Sequence, residues 1–253
     1  MSRRKDKIIK MIIKSGELSI SSLADSLHVS MMTIRRDVDE LLKQQVLQKG
    51  SAPGTVHLRV RFQVDPGYSR RHQMNLHQKI AIAMEASKLL QDGMSVGLDA
   101  STTALELAKH LNKFKNIKAI TNSLLIPTLL TNHPSLSLIL SGGSMRPEAF
   151  SMVGSIACNT LNQYHYDYAF FSVNAINAEH GLTDTSEEEI LTKQIMMQNA
   201  SVRVLLADSS KFGYRSFCRC CGIERIDILI TDKEAGKEEV DAFRKNGTRV
   251  ILA

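Results

Sequence analysis

From residue 94 to the end of the chain, short apolar runs alternate with helical stretches. The runs cover 94–98, 117–121, 136–140, 168–173, 202–207, 226–230 and 249–252. Each has the length of one buried strand, and the gaps leave room for crossover helices. This rhythm predicts a mostly parallel α/β sheet. In such sheets, ligands gather outside the carboxyl ends of the strands. A helix over Leu76 to about Leu90 opens this body.

The strand ends share a chemistry. The first run leads into Asp99-Ala100-Ser101-Thr102-Thr103 and then a helix from Ala104 to Leu111. The second leads into Thr121-Asn122-Ser123 and a helix. The third leads into Ser141-Gly142-Gly143-Ser144-Met145-Arg146, and a later one into Asp208-Ser209-Ser210-Lys211. Small hydroxylated residues and glycines at a helix start present free backbone N–H groups at the positive end of the helix dipole. Arg146 and Lys211 add positive charge, and Asp99 and Asp208 suit hydroxyl groups. Together they predict a site for a small anion that carries hydroxyls. Each turn alone is equally an ordinary helix cap; the recurrence at successive strand ends carries the reading. Glu187-Glu188-Glu189 opens a further helix, where acids complement the dipole, and Lys193 stands four residues past Glu189, within pairing distance.

Charge divides the chain. Residues 1–61 hold twelve Lys and Arg against six Asp and Glu, whereas 62–253 hold twenty of each. The whole net charge of +6 sits in the first quarter. A small basic module on a neutral body points to a polyanionic partner for the module alone.

Within that module, Ile8, Ile9, Ile12 and Ile13 recur at helical spacing over 5–14, and Gly16 stops the helix. A second helix is expected from about Ser19, with Ile20, Leu23, Ala24 and Leu27 on one face. His28 and Val29 form a turn, and Ser30 caps a third helix from Met31 to about Gln44. There Ile34, Val38, Leu41 and Leu42 face inward, which leaves Met31, Thr33, Arg35 and Arg36 outward. Two helices joined by a tight turn, with paired arginines early in the second, fit a helix-turn-helix that reads the major groove of double-stranded DNA. Ser30, Met31, Thr33, Arg35 and Arg36 are its candidate contacts. Arg35 and Arg36 also precede Asp39 and Glu40 by four residues, so solvated helix pairs are the competing reading. Strands at Val46–Lys49 and Thr55–Arg61, around a turn over 50–54, form a wing from which Lys49, Arg59 and Arg61 can touch phosphates. Asp65-Pro66-Gly67, Arg70-Arg71 and few apolar residues mark 62–75 as a linker. The expected division is a winged helix-turn-helix over 1–61, a linker over 62–75 and an effector domain over 76–253.

The stretch Leu23-Ala24…Val29-Ser30-Met31-Met32-Thr33-Ile34-Arg35-Arg36-Asp37-Val38…Leu41 resembles the DeoR family of helix-turn-helix regulators, with Thr-Ile-Arg-Arg-Asp as its most specific marker. The resemblance extends through Asp99 to Thr103, Thr121-Asn122-Ser123, Gly142-Gly143, Gly154, Gly181-Leu182, Glu188, Lys193 and Asp208 to Gly213. It implies an effector domain folded like ribose-5-phosphate isomerase and the coenzyme A transferases. It also implies a repressor of a carbohydrate-use operon, controlled by a phosphorylated sugar. That effector is expected on Asp99, Ser101, Thr102, Thr103, Asn122, Lys193, Asp208 and Lys211, with Gly142, Gly143, Arg146 and Glu188 completing the site. Two departures stand out. The wing lacks the family's Arg-x-His-Gly-Gly-like segment and reads Gln48-Lys49-Gly50-Ser51-Ala52-Pro53-Gly54, and Ser101 replaces a usual glycine.

No apolar stretch approaches a membrane span or a signal peptide, so a cytoplasmic protein with reduced cysteines is expected. Cys218, Cys220 and Cys221 lack the paired spacing of a zinc site, and neither metal nor cofactor is expected. A homo-oligomer, dimer or tetramer, would read paired half-sites. The alternative is a sugar-phosphate isomerase with an appended nucleic-acid module, since Asp99, Glu188, Lys193 and Asp208 can serve proton transfer. The basic module argues against it, and no catalytic residue is assigned. An RNA-binding role lacks the aromatic stacking platforms it needs.

Overall fold

The computed structural model describes residues 3–43, 46–50, 52–58, 67–133 and 135–253. Contacts divide the chain into Met1–Arg61 and Phe62–Ala253. Gln44, the wing residues Arg59 and Arg61, and the first part of the expected linker, 62–66, lie outside the described residues.

In the first unit, α1 (Arg3–Ser15), α2 (Ile20–Leu27) and α3 (Met31–Lys43) close around Ile8, Ile12, Leu23, Ile34, Val38 and Leu41. The tight turn is made by His28, in the left-handed region at φ 52°. Ser30 Oγ accepts from the Thr33 amide at 3.3 Å, which starts α3. Strands β2 (Leu47–Lys49) and β3 (Thr55–Leu58) pair antiparallel as the wing. Sequence reasoning missed a third strand, β1 (Glu17–Ser19), which pairs with β3 on its other side. Three residues between two helices are too short to show the period of two that marks a strand.

The second unit begins differently from expectation. Residues 68–73, expected as linker, form α4 (Tyr68–Gln73). Tyr68 is buried in the core of this unit, edge-on to Phe150 at 5.3 Å, and its amide donates to Glu148 O at 3.0 Å. One large aromatic side chain anchors a segment that its neighbours alone mark as solvated. α5 (Leu76–Ser87) follows.

Seven strands then build one parallel sheet: β4 (Ser95–Leu98), β5 (Lys118–Thr121), β6 (Ser137–Leu140), β9 (Tyr166–Phe171), β12 (Ala200–Leu206), β14 (Ile228–Thr231) and β15 (Arg249–Leu252). Each overlaps one of the seven apolar runs. Their order is β15-β14-β12-β9-β4-β5-β6. The chain runs from β4 out to the β6 edge, returns to β9 beside β4, and proceeds to the other edge. The switch point lies between β4 and β9. Helices α5, α6 (Thr102–Ala108) and α7 (Ile126–Leu130) supply one core, around Ile82, Leu107, Phe170 and Leu206. Helices α8 (Gly154–Leu161), α9 (Glu187–Gln198) and α10 (Lys237–Lys245) supply apolar clusters around Phe171, Leu205 and Phe243, and around Leu161 and Met196. Phe170 and Phe171, adjacent in β9, enter different cores, as the alternation of a strand requires.

Two smaller sheets decorate the body: the hairpin β7 (Ser144–Arg146) with β8 (Ser151–Val153), and β10 (Ala175–Asn177), β11 (Gly181–Asp184) and β13 (Cys218–Cys221). Among the described residues, no helix is long and apolar enough to cross a membrane.

Candidate functional site

In the first unit, α3 turns its residues as its spacing requires. Ile34, Asp37, Val38 and Leu41 are buried. Met31 and Met32 are 55% and 74% exposed, and Arg35 and Arg36 are exposed with them. Arg36 lies 3.7 Å from Glu40, the helix pair that its spacing allowed; the corresponding Arg35–Asp39 pair is not formed among the described residues. The hydroxyls of Ser30 and Thr33 bond each other at 2.8 Å. Lys49 is exposed at the end of β2.

In the second unit, a cleft opens at the switch point. Its walls include Ser101, Thr102 and Thr103 after β4, and Ser172, Val173 and Asn174 after β9. Ser101 caps α6, its Oγ accepting from the Ala104 amide at 3.1 Å. The Thr102 and Thr103 amides open the helix and have no carbonyl within it to donate to. Asp99 lies beneath, almost fully buried, and joins the two loops. It accepts from the Ser101 and Ser172 amides, both at 3.0 Å.

Around this floor stand five cations: Arg71, Lys79, Arg146, Lys193 and Lys211. Lys193 is 3.4 Å from Asp184, 3.6 Å from Glu189 and 3.7 Å from Asp99. Burial disfavours its charge, but the three carboxylates outweigh burial and hold the ammonium protonated well beyond the ordinary lysine range. Arg146 is bound by Glu189 at 3.1 Å and Glu148 at 2.6 Å. Lys79 is buried, with its ammonium donating to Met74 O at 2.6 Å and also to Arg71 O. Burial lowers its pKa to about 8, against the pull of Asp208.

Six of the expected residues line the cleft: Ser101, Thr102, Thr103, Arg146, Lys193 and Lys211. Asp99 and Asp208 support it from behind. Asp208 accepts from Asn75 Nδ2 at 2.8 Å, just ahead of α5 and its Lys79. Asn122 does not line it; its Nδ2 donates to Met152 O at 3.2 Å and ties β5 to β8. Gly142 and Gly143 also fall outside. They turn the chain into the β7–β8 hairpin, and a Cβ on Gly143 (φ 109°) would fall 2.4 Å from Val153 O. Glu188 is exposed on α9, and its neighbour Glu189 enters the cleft instead. One residue of helix turns a side chain by about 100°, enough to exchange the two.

Sequence reasoning missed Arg71, Lys79, Ser172, Asn174, Asp184 and Glu189 as cleft residues. Lys79 carried a signal: it falls on the same stripe as Ile82, Ala83 and Ala86, where a lysine is out of place. Glu189 carried a misleading one. Ser186-Glu187-Glu188-Glu189 reads as a capping box, and Ser186 Oγ does accept from the Glu189 amide at 3.3 Å. The Glu189 carboxylate, however, binds Arg146 and the Ser151 hydroxyl.

A winged helix-turn-helix followed by an α/β body with a polar cleft at its switch point defines the class of transcription regulators that carry a sensor domain. Residues 4–51 match the family model of the DeoR-like helix-turn-helix domain, and residues 74–233 that of the DeoR C-terminal sensor domain. The chain therefore belongs to the DeoR family of transcriptional regulators. It is 33% identical to the HTH-type transcriptional regulator GlpR of Haloferax volcanii, over 99% of this chain and 97% of that protein. It is 28% identical to the glycerol-3-phosphate regulon repressor of Haemophilus influenzae, over 99% and 96%. A solved D-ribose-5-phosphate isomerase in complex with phospho-erythronic acid covers 54% of each chain, at 18% identity and a TM-score of 0.41.

Proposed function

We propose that this regulator represses a carbohydrate-use operon and that a phosphorylated sugar, bound in the cleft, sets its affinity for the operator. The observation that carries the reading is the cleft itself. Five cations, which outnumber the carboxylates Asp99, Asp184 and Glu189 among them, and the amides of the Ser101–Thr103 turn meet at the sheet's switch point, where a phosphate finds N–H donors and positive charge. Relatives named for sugar-related regulons support the same reading. In this scheme Ser101, Thr102, Thr103, Arg146, Lys193 and Lys211 meet the effector. Asp99 and Asp208 hold the loops.

On the DNA side, Arg35 and Arg36 project from α3 toward base edges and phosphates, with Met31 and Thr33 beside them and Ser30 capping the helix. Lys49 contacts phosphate from the wing. A homo-oligomer, dimer or tetramer, in the cytoplasm reads paired half-sites. The effector acts by its difference in affinity between two states, tenfold for each ~1.4 kcal/mol.

The same cleft is proposed to bind without turnover. The basic module favours a regulator over an isomerase, and Lys193, one candidate for the proton transfer an isomerase needs, is held protonated by three carboxylates. A thermal-shift screen against pentose, hexose and triol phosphates tests the reading. A rise in melting temperature with no product formed is the expected result, because a ligand of the native state must stabilise it. No shift with any of them, or measurable isomerisation, overturns it.

A further inference from the structure

Asn174 stands just past the carboxyl end of β9, the central strand of the sheet, and lines the cleft. It is 5% exposed, and neither its Nδ2 nor its Oδ1 has a hydrogen-bond partner. Its neighbours differ from it. The Asp99 carboxylate is met by two backbone amides, and the Glu189 carboxylate by Ser151 and Arg146. A buried amide left unpaired costs the desolvation of both its groups, so it is retained where something completes it. The complement must accept from Nδ2 and donate to Oδ1. The phosphate dianion of a monoester offers only acceptors, whereas a hydroxyl offers both roles.

We propose that Asn174 reads a hydroxyl group of the bound ligand, and so makes the cleft select hydroxylated anions over plain anions of equal charge. This rests on the reading of the cleft as a phosphosugar site and adds its selectivity. The cations bind the anionic end without regard to what it is attached to. The Asn174 amide then rejects a ligand with no hydroxyl in reach, because its own groups stay unpaired.

Calorimetric titration of the full-length protein tests this, with ribose 5-phosphate, glucose 6-phosphate and glycerol 3-phosphate as hydroxylated probes. Propyl phosphate and sulfate are the hydroxyl-free references. Wild type is expected to bind at least one hydroxylated probe more tightly than either reference. Asn174→Ala should weaken that probe by about tenfold or more, the loss expected when a paired buried group goes. It should leave the references within about twofold and raise the melting temperature of the ligand-free protein, since the unpaired amide is gone. An unchanged affinity in Asn174→Ala overturns the assignment, and so does an equal loss for propyl phosphate and sugar phosphate, which marks a merely structural role. Binding of no probe to wild type removes the phosphosugar reading and this assignment with it. Wild-type binding with an unaffected variant removes the Asn174 assignment alone.

Discussion

The Arg4 guanidinium holds the Asp37 carboxylate with two hydrogen bonds, one of them 3.1 Å, and so fastens α1 to α3. Asp37 is buried, while Arg35 and Arg36 beside it in the chain are exposed. Lys5 is likewise paired with Glu40. The run Thr33-Ile34-Arg35-Arg36-Asp37 therefore works in two directions: its arginines leave the fold and its aspartate locks the helix that carries them. Asp37→Ala is expected to lower both the melting temperature and operator affinity. Arg35→Ala should lower operator affinity alone. Circular dichroism melts beside gel-shift titrations separate the two; a stable Asp37→Ala protein would show that the lock is dispensable.

Lys49 and Arg35 are expected to differ in kind. A lysine on a phosphate contributes equally to every sequence, so Lys49→Ala should reduce the slope of log affinity against log salt by about 0.9. An arginine on a base edge is worth roughly 1–3 kcal/mol of discrimination. Arg35→Ala should therefore weaken operator binding far more than binding to random DNA. Equal losses on both DNAs would remove Arg35 from the base-reading set.

Lys79 should make stability and ligand binding depend on pH. Its folded pKa, about 8, lies below the ordinary lysine value. Between those values the unfolded chain binds more protons, so this group's contribution to stability rises with pH from about 8 upward. Lys79→Met should flatten that rise. A phosphate beside Lys79 raises its pKa again, so binding above pH 8 should take up protons. Calorimetry in buffers of different ionisation enthalpy measures the uptake, and its absence would place the anion elsewhere.

Lys193→Met leaves Asp99, Asp184 and Glu189 without the ammonium they share. Removing one partner of a buried ion cluster costs about 3–5 kcal/mol. With Lys193 gone, the Asp99 carboxyl, which burial already pushes above the usual carboxylate range, loses the charge that opposes that rise. The variant should therefore recover stability as pH falls. Denaturant titrations at pH 5 and pH 8 are expected to show a smaller gap to wild type at pH 5.

Local patterns carried much of this protein. Ser30 and Ser101 announced helix starts, Ile34 and Val38 the inward face of α3, and seven apolar runs the seven strands of the sheet. These depend on residues a few positions apart, whose period and capping chemistry act wherever the segment lies. The cleft was legible where its residues follow a strand directly, as Ser101 to Thr103 do. It was hidden where they arrive from elsewhere. Arg71 lay in an apparent linker. Asn174 does follow an apolar run, but as a lone polar residue with no hydroxylated or glycine-rich turn to mark it.

Residue order alone dictates the basic module, the faces of its helices, and the kinds of elements in the body with their order along the chain. That β9 returns beside β4 emerges on folding, because strand order depends on pairing between segments some seventy residues apart. That pairing brings Ser101 and Asn174 to one cleft. Packing also decides that Glu189, and not Glu188, enters the cleft, since the turn of a helix selects a carboxylate for the site only once its inward side is fixed.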